Sequence, residues 1–118
     1  MSNIRFTGIM PAMITPIDAN GKVVEECVNR MVEDQLAAGV TGFYVTGGTG
    51  EGVLITKEQR FAMVEAVVKA NRGRGKVIVH TGSINADEGI ELTRQATAAG
   101  ADGISSILPN IYFSFSYD

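Results

Sequence analysis

Four short apolar runs, at residues 9–14, 42–46, 77–81 and 103–108, alternate with three longer segments of helical period. The runs are rich in Ile, Val, Phe and Tyr and barely alternate with polar residues. A strand with one wet face would alternate. Strands buried on both faces do not, and they belong to parallel sheets covered by helices. The first helix is expected over residues 24–38, where Val24, Cys27, Val28, Met31, Val32 and Leu36 fall on one stripe before Gly39 stops it. Cys27 lies within that stripe and reads as a small core side chain. The second helix opens on a capping box, Thr56 as N-cap with Gln59 three residues on. Phe61, Val64, Val67 and Val68 follow at helical spacing, and Gly73 closes it. The third begins near Asn85, with Glu88 in the reciprocal capping position, and ends at Gly100.

One junction is written twice. Ala37-Ala-Gly-Val-Thr-Gly-Phe43 and Ala98-Ala-Gly-Ala-Asp-Gly-Ile104 share Ala-Ala-Gly and the glycine three residues later. In each, one glycine ends a helix and the next lets a strand start tightly packed. A repeated βα unit leaves such an echo. Units of roughly thirty residues with right-handed crossovers admit two architectures, a small doubly wound sheet or part of a (β/α)₈-barrel. A complete barrel takes ~250 residues. The 118 residues here would then be about four βα units, the N-terminal half of a barrel, ending after its fourth strand. Such a half has two unpaired edges that need cover.

Composition narrows the function more than the fold. Apolar residues make up 45% of the chain, which fits a packed domain rather than a disordered one. A net charge of −3 gives no footprint for nucleic acid. The one basic stretch, Arg72-Gly-Arg74-Gly-Lys76, falls between a helix and a strand and reads as a solvated loop. No apolar run approaches the ~18 residues of a membrane span, and Met1-Ser-Asn-Ile-Arg-Phe6 lacks a signal-peptide core. A single Cys and a single His make neither an intrachain disulfide nor a zinc site. The expectation is a soluble cytoplasmic protein with no metal and neither nucleic acid nor membrane as partner.

The richest chemistry lies in Tyr44-Val-Thr-Gly-Gly-Thr-Gly-Glu-Gly52, at the end of the second run. It is not a dinucleotide fingerprint, because Val53 stands where the third glycine belongs, and it lacks the lysine of a P-loop. A cup of backbone N–H groups with the Thr49 hydroxyl suits a small anion such as an α-keto acid carboxylate. A tight βα turn whose glycines serve only geometry is the equal alternative. His80 is near a strand end and reads as a hydrogen-bonded core or rim residue. Met10, Met13, Met31 and Met63 fall on apolar faces and read as core filler.

Several segments together resemble the N-acetylneuraminate lyase and dihydrodipicolinate synthase family of class I, pyruvate-binding aldolases. They are Gly8-Ile-Met-Pro-Ala-Met-Ile-Thr-Pro-Ile-Asp18, the loop from Gly42 to Glu51, Val79-His-Thr-Gly82, Gly100-Ala-Asp-Gly103, and Pro109 with Tyr112. The resemblance implies the N-terminal half of a (β/α)₈-barrel. It implies that Gly47, Gly48, Thr49 and Gly50 bind the substrate carboxylate and that Thr49 shares in proton transfer. It implies that Tyr112 is the loop tyrosine reaching a neighbouring subunit's site. Glu51 is expected to secure the loop through backbone N–H groups. Gly48 departs from the family, which carries Ser or Thr there. Phe113-Ser114-Phe115-Ser116 after Tyr112 resembles the sialic-acid lyases more than the synthases.

By the same resemblance the reaction runs through a lysine Schiff base without a cofactor, on pyruvate and a sugar acid, in a homo-oligomer. The family's lysine lies on the sixth strand. Lys22, Lys57, Lys69 and Lys76 are in a loop, on a helix, on a helix and at the far end of a strand, so none can serve. The chain alone is expected to be inactive. Three readings follow: part of an N-acetylneuraminate lyase, part of a dihydrodipicolinate synthase-type enzyme, or a non-catalytic self-assembling half barrel.

Overall fold

A computed structural model describes residues 3–108. Three helices, α1 (Glu25–Ala37), α2 (Lys57–Asn71) and α3 (Ala86–Ala99), alternate with three strands, β1 (Gly42–Val45), β2 (Lys76–His80) and β3 (Gly103–Ser105). The strands are all parallel and lie in the order β1-β2-β3. A doubly wound sheet reverses its order at a switch point. Here each unit steps the same way, the winding of a barrel wall. The chain is α/β, and its winding matches the expected N-terminal part of a (β/α)₈-barrel, with no switch point among the described strands.

The run at residues 9–14 is not a regular strand, contrary to the sequence expectation. It lies parallel to β1 and makes one bridge, Ala12 to Tyr44. There Tyr44 N–H donates to the Pro11 carbonyl at 3.0 Å and Met13 N–H to the Tyr44 carbonyl at 2.9 Å. The next bridge would need an N–H from Pro11, which proline lacks. Instead Thr41 N–H reaches the Ile9 carbonyl at 2.9 Å. Sequence pattern finds the apolar segment, and one missing donor breaks its ladder.

The helices start where their caps place them. Thr56 and Gln59 form the reciprocal box, with Gln59 N–H donating to Thr56 Oγ1 at 3.1 Å and Thr56 N–H to Gln59 Oε1 at 2.8 Å. At α3, Asn85 Oδ1 accepts from the Asp87 and Glu88 N–H groups, but the Glu88 carboxylate turns to the Ser83 hydroxyl at 2.6 Å instead of closing a box. The repeated junction has a steric cause. Gly39 and Gly100 end their helices at φ 97° and 104°. Gly42 and Gly103 open strands where a Cβ would strike the Lys76 carbonyl and the Phe6 ring.

The core lies between the sheet and the helices. Phe43, Val45, Val77 and Val79 point into it from the strands, meeting Val28 and Val32 of α1, Met63, Val64 and Val67 of α2, and Ala96 of α3. On the other face the in-register residues are Tyr44, Ile78 and Gly103. Exposed apolar residues mark both edges, Ile9 and Ile14 on one and Ile104, Ile107 and Leu108 on the other, and also Val53 and Leu54 after the glycine loop. A groove of about 570 Å³ runs between α3 and the exit of β3. In a closed barrel the following βα unit covers that flank. The basic stretch is neutralised within the chain, Arg72 and Arg74 meeting Glu33 and Lys76 meeting Asp102.

Candidate functional site

The glycine loop leaves β1 through a backbone conformation that few side chains adopt. Thr46, β-branched and fully buried, sits at φ 57°. Its hydroxyl is 3.0 Å from the His80 carbonyl and 2.7 Å from that of Val45. A β-branched residue in the left-handed region costs on the order of 1–3 kcal/mol and is held there by its surroundings. The turn throws the loop across the carboxyl end of the sheet, beside the ends of β2 and β3.

Three of the four glycines in the loop have no room for a side chain. A Cβ on Gly47 would stand 2.5 Å from the Tyr44 ring, and one on Gly50 would stand 3.0 Å from the Met13 carbonyl. A Cβ on Gly52 would overlap the Thr46 carbonyl. Gly48 differs. Nothing lies within 4 Å of its would-be Cβ, and its φ is not positive.

The loop is closed by its own backbone, Gly52 N–H to the Gly47 carbonyl and Glu51 N–H to the Gly48 carbonyl, both at 3.1 Å. Thr15 donates its hydroxyl to the Gly50 carbonyl at 2.7 Å. Among the described residues none accepts from the N–H groups of Gly48, Thr49 or Gly50. Gly48 and Thr49 are exposed, whereas Gly47 and Gly50 are buried. The arrangement is a short row of free donors with a threonine hydroxyl in their midst. Glu51 does not act as the sequence suggests. Its backbone carbonyl, not its carboxylate, accepts from Leu54 and Ile55 N–H, with the residue itself at φ 57°.

Beneath the loop lies a charge that sequence reading passed over. Arg60 of α2 is only 3% exposed. Its Nη1 donates to the Gly82 carbonyl at 2.9 Å and its Nη2 to the His80 carbonyl at 2.6 Å, while Nε has no partner. Burial lowers its pKa, an effect the Glu88 carboxylate opposes. A buried cation held by carbonyls favours an anion bound above it. The signal was present in the sequence. Arg60 occupies the first position of the stripe that continues through Met63, Val64 and Val67.

Tyr44 was also passed over. Its ring packs under Gly47 and its hydroxyl donates to Ser105 Oγ at 2.9 Å, reaching from β1 across β2 to β3. His80 is buried, its Nε2 accepting the Ile107 N–H at 3.3 Å. Its pKa is lowered, first by burial and then by the Arg60 charge, against a smaller contrary effect of Thr46. Tyr112 lies outside the described residues. Lys57 and Lys69 pair with Glu91 and Glu25 on the helical surface, away from the loop.

These features stand in a chain whose kinship is measurable. The dihydrodipicolinate synthetase family model matches residues 5–117. The chain belongs to that family. It is 43% identical over 104 residues to 4-hydroxy-tetrahydrodipicolinate synthase 2 of Halalkalibacterium halodurans, covering 88% of this chain and 36% of that protein. Its fold superposes with a TM-score of 0.88 on Proteus mirabilis N-acetylneuraminate lyase, at 32% identity, covering 96% of this chain and 38% of that one. The same TM-score, 0.88, relates it to a prophage protein of the dihydrodipicolinic acid synthase family from E. coli K12, in complex with pyruvate. That match has 36% identity and covers 94% of this chain and 37% of the other. The chain thus spans little more than a third of these relatives, some named for the lyase and some for the synthase. Among the described residues no helix is long and apolar enough to cross a membrane.

Proposed function

We propose that this chain supplies the carboxylate-binding part of a Schiff-base, pyruvate-dependent aldolase barrel, of which residues 1–118 form the first four βα units. The observation that carries this is the row of uncommitted N–H groups at Gly48, Thr49 and Gly50, set around the Thr49 hydroxyl and above buried Arg60. A carboxylate accepting two or three such bonds is held firmly and oriented, which leaves its keto carbon toward the barrel axis. In this reading Gly47 and Gly50 shape the loop, Gly48 and Thr49 donate, and Thr49 also passes a proton. Tyr112 serves a neighbouring subunit's site. The amine that attacks the keto carbon comes from the sixth strand, outside these residues, so this chain alone forms no imine.

For the substrate we favour N-acetylneuraminate, cleaved to N-acetylmannosamine and pyruvate. Phe113-Ser114-Phe115-Ser116 after Tyr112 supports that choice. The identity to a synthase supports the competing reading, condensation of pyruvate with aspartate semialdehyde. Assaying the complete gene product against N-acetylneuraminate, and separately against pyruvate with aspartate semialdehyde, separates them. Turnover of the first alone is expected; turnover of the second alone would make it a synthase.

A further inference from the structure

The carboxylate loop rests on three supports, and one of them is unlike the others. Gly50 lies against the Met13 carbonyl and Gly52 against that of Thr46, both backbone groups. Gly47 lies instead against a side chain. A Cβ there would stand 2.5 Å from Cε1 and 3.1 Å from Cδ1 of the Tyr44 ring. Thr46, at φ 57°, turns the chain back on itself, so the first glycine of the loop lands on the ring three residues before it. Gly48 and Thr49, whose N–H groups are free among the described residues, follow directly. Their height above the sheet is therefore set at Tyr44.

The ring is fixed at its far end. Tyr44 Oη donates to Ser105 Oγ at 2.9 Å. Phe43 and Val45 turn toward the helices, so Tyr44 takes the opposite face of the sheet. Ser105 shares that face, two residues beyond Gly103 and in register with His80. Neighbouring strands lie about 4.8 Å apart, so the contact spans roughly 10 Å from β1 across β2 to β3. A hydroxyl at the tip of a side chain that long belongs to tyrosine alone. Phenylalanine would pack under Gly47 equally well. What the phenol adds is the tie to β3.

We propose that Tyr44 is a positioning residue of the keto-acid site. Its ring seats Gly47, and Ser105 holds the ring, so that the donors at Gly48 and Thr49 meet the carboxylate. This rests on the aldolase reading above. The carboxylate does not react, so bonds to it are alike in the ground and transition states. A loop that tilts then weakens binding of any 2-oxo or 2-hydroxy acid and raises KM more than it lowers kcat. A side chain that served packing alone would move Tm and leave the affinity of the folded protein unchanged.

The test uses the complete gene product as wild type, Tyr44→Phe, Ser105→Ala, Ser105→Thr and Tyr44→Leu. Calorimetry measures binding of lactate, which carries the carboxylate but cannot form an imine, beside KM and kcat for pyruvate. Tyr44→Phe and Ser105→Ala should each weaken lactate binding and raise KM about fivefold, the scale of one hydrogen bond, with kcat changed less than about twofold. Combining them should do no more than either alone, because both break the same contact. Ser105→Thr keeps the accepting hydroxyl and should bind lactate within about twofold of wild type. Tyr44→Leu removes the seat as well and should lose more than about thirtyfold. Tyr44→Phe and Ser105→Thr preserve shape, so they decide even if Tyr44→Leu does not fold. Unchanged lactate affinity and KM in Tyr44→Phe or Ser105→Ala, whatever happens to Tm, would overturn the proposal, as would additive losses in the double variant. Wild type that binds neither lactate nor pyruvate would sink the aldolase reading and this proposal with it. Wild type that turns over pyruvate, with variants indistinguishable from it, would sink this proposal alone.

Discussion

Two loops meet at the carboxyl end of the sheet and use their polar groups in opposite ways. After β1, the exposed Gly48 and Thr49 leave their N–H groups and the Thr49 hydroxyl uncommitted among the described residues. After β2, the turn from His80 to Gly82 is buried and largely engaged, the His80 and Gly82 carbonyls taken by Arg60 and the His80 Nε2 by Ile107. Backbone polar groups are nearly always paired when buried, so free donors persist only where water or a ligand can reach them. On the proposed reading, the contrast separates a surface that binds from the scaffold that holds it. Substitutions after β2 should lower stability, whereas substitutions at the exposed positions after β1 should change affinity and leave stability alone.

Arg60→Leu should show the largest effect, because it strips two buried carbonyls of their donors and removes the charge below the loop. A loss of about 3–5 kcal/mol is expected by urea unfolding. A loss under about 1 kcal/mol would erase the distinction between the loops. Within the β1 loop, Gly52→Ala should cost about 2–4 kcal/mol, since its Cβ overlaps the Thr46 carbonyl. Gly48→Ala, with open space around it, should stay within about 0.5 kcal/mol. Parallel thermal melts of the two variants would decide.

Thr49→Val should leave unfolding unchanged and raise KM for pyruvate roughly tenfold, the scale of one hydrogen bond to a charged group. An equal loss of stability would make Thr49 part of the scaffold. The smallest effect is expected at Gly48→Ser. The free space there admits the hydroxyl that the family carries, so KM for pyruvate should fall by about threefold. A rise would mean that the added group blocks the cup.

How much of this is legible in sequence follows the range of the interaction. Thr56 with Gln59, and the helix-ending glycines at 39 and 100, act on near neighbours along the chain, and pattern reading finds them; Gly42 and Gly103 show in the repeated junction, although the Lys76 carbonyl and Phe6 ring that they clear are distant in sequence. Pro11 lies inside an apolar run, and its effect appears only when its missing N–H is set against β1. Arg60 breaks an apolar stripe and could have been noticed there, but its carbonyl partners are 20 and 22 residues away. Tyr44 and Ser105 are 61 residues apart and signal nothing locally. The loop composition suggests an anion cup, but only geometry separates Gly48, which space leaves optional, from Gly47, Gly50 and Gly52, which it does not.

The central claim is that this segment binds the keto acid while the reacting amine lies elsewhere in the barrel. Borohydride reduction of the complete gene product with pyruvate, followed by peptide mass mapping, tests it most directly. One reduced pyruvyl adduct is expected, on a lysine beyond Asp118, and its yield should fall in Thr49→Val. The same treatment of the 118-residue chain should give none. An adduct on Lys22, Lys57, Lys69 or Lys76, or none in the complete protein, would contradict the account.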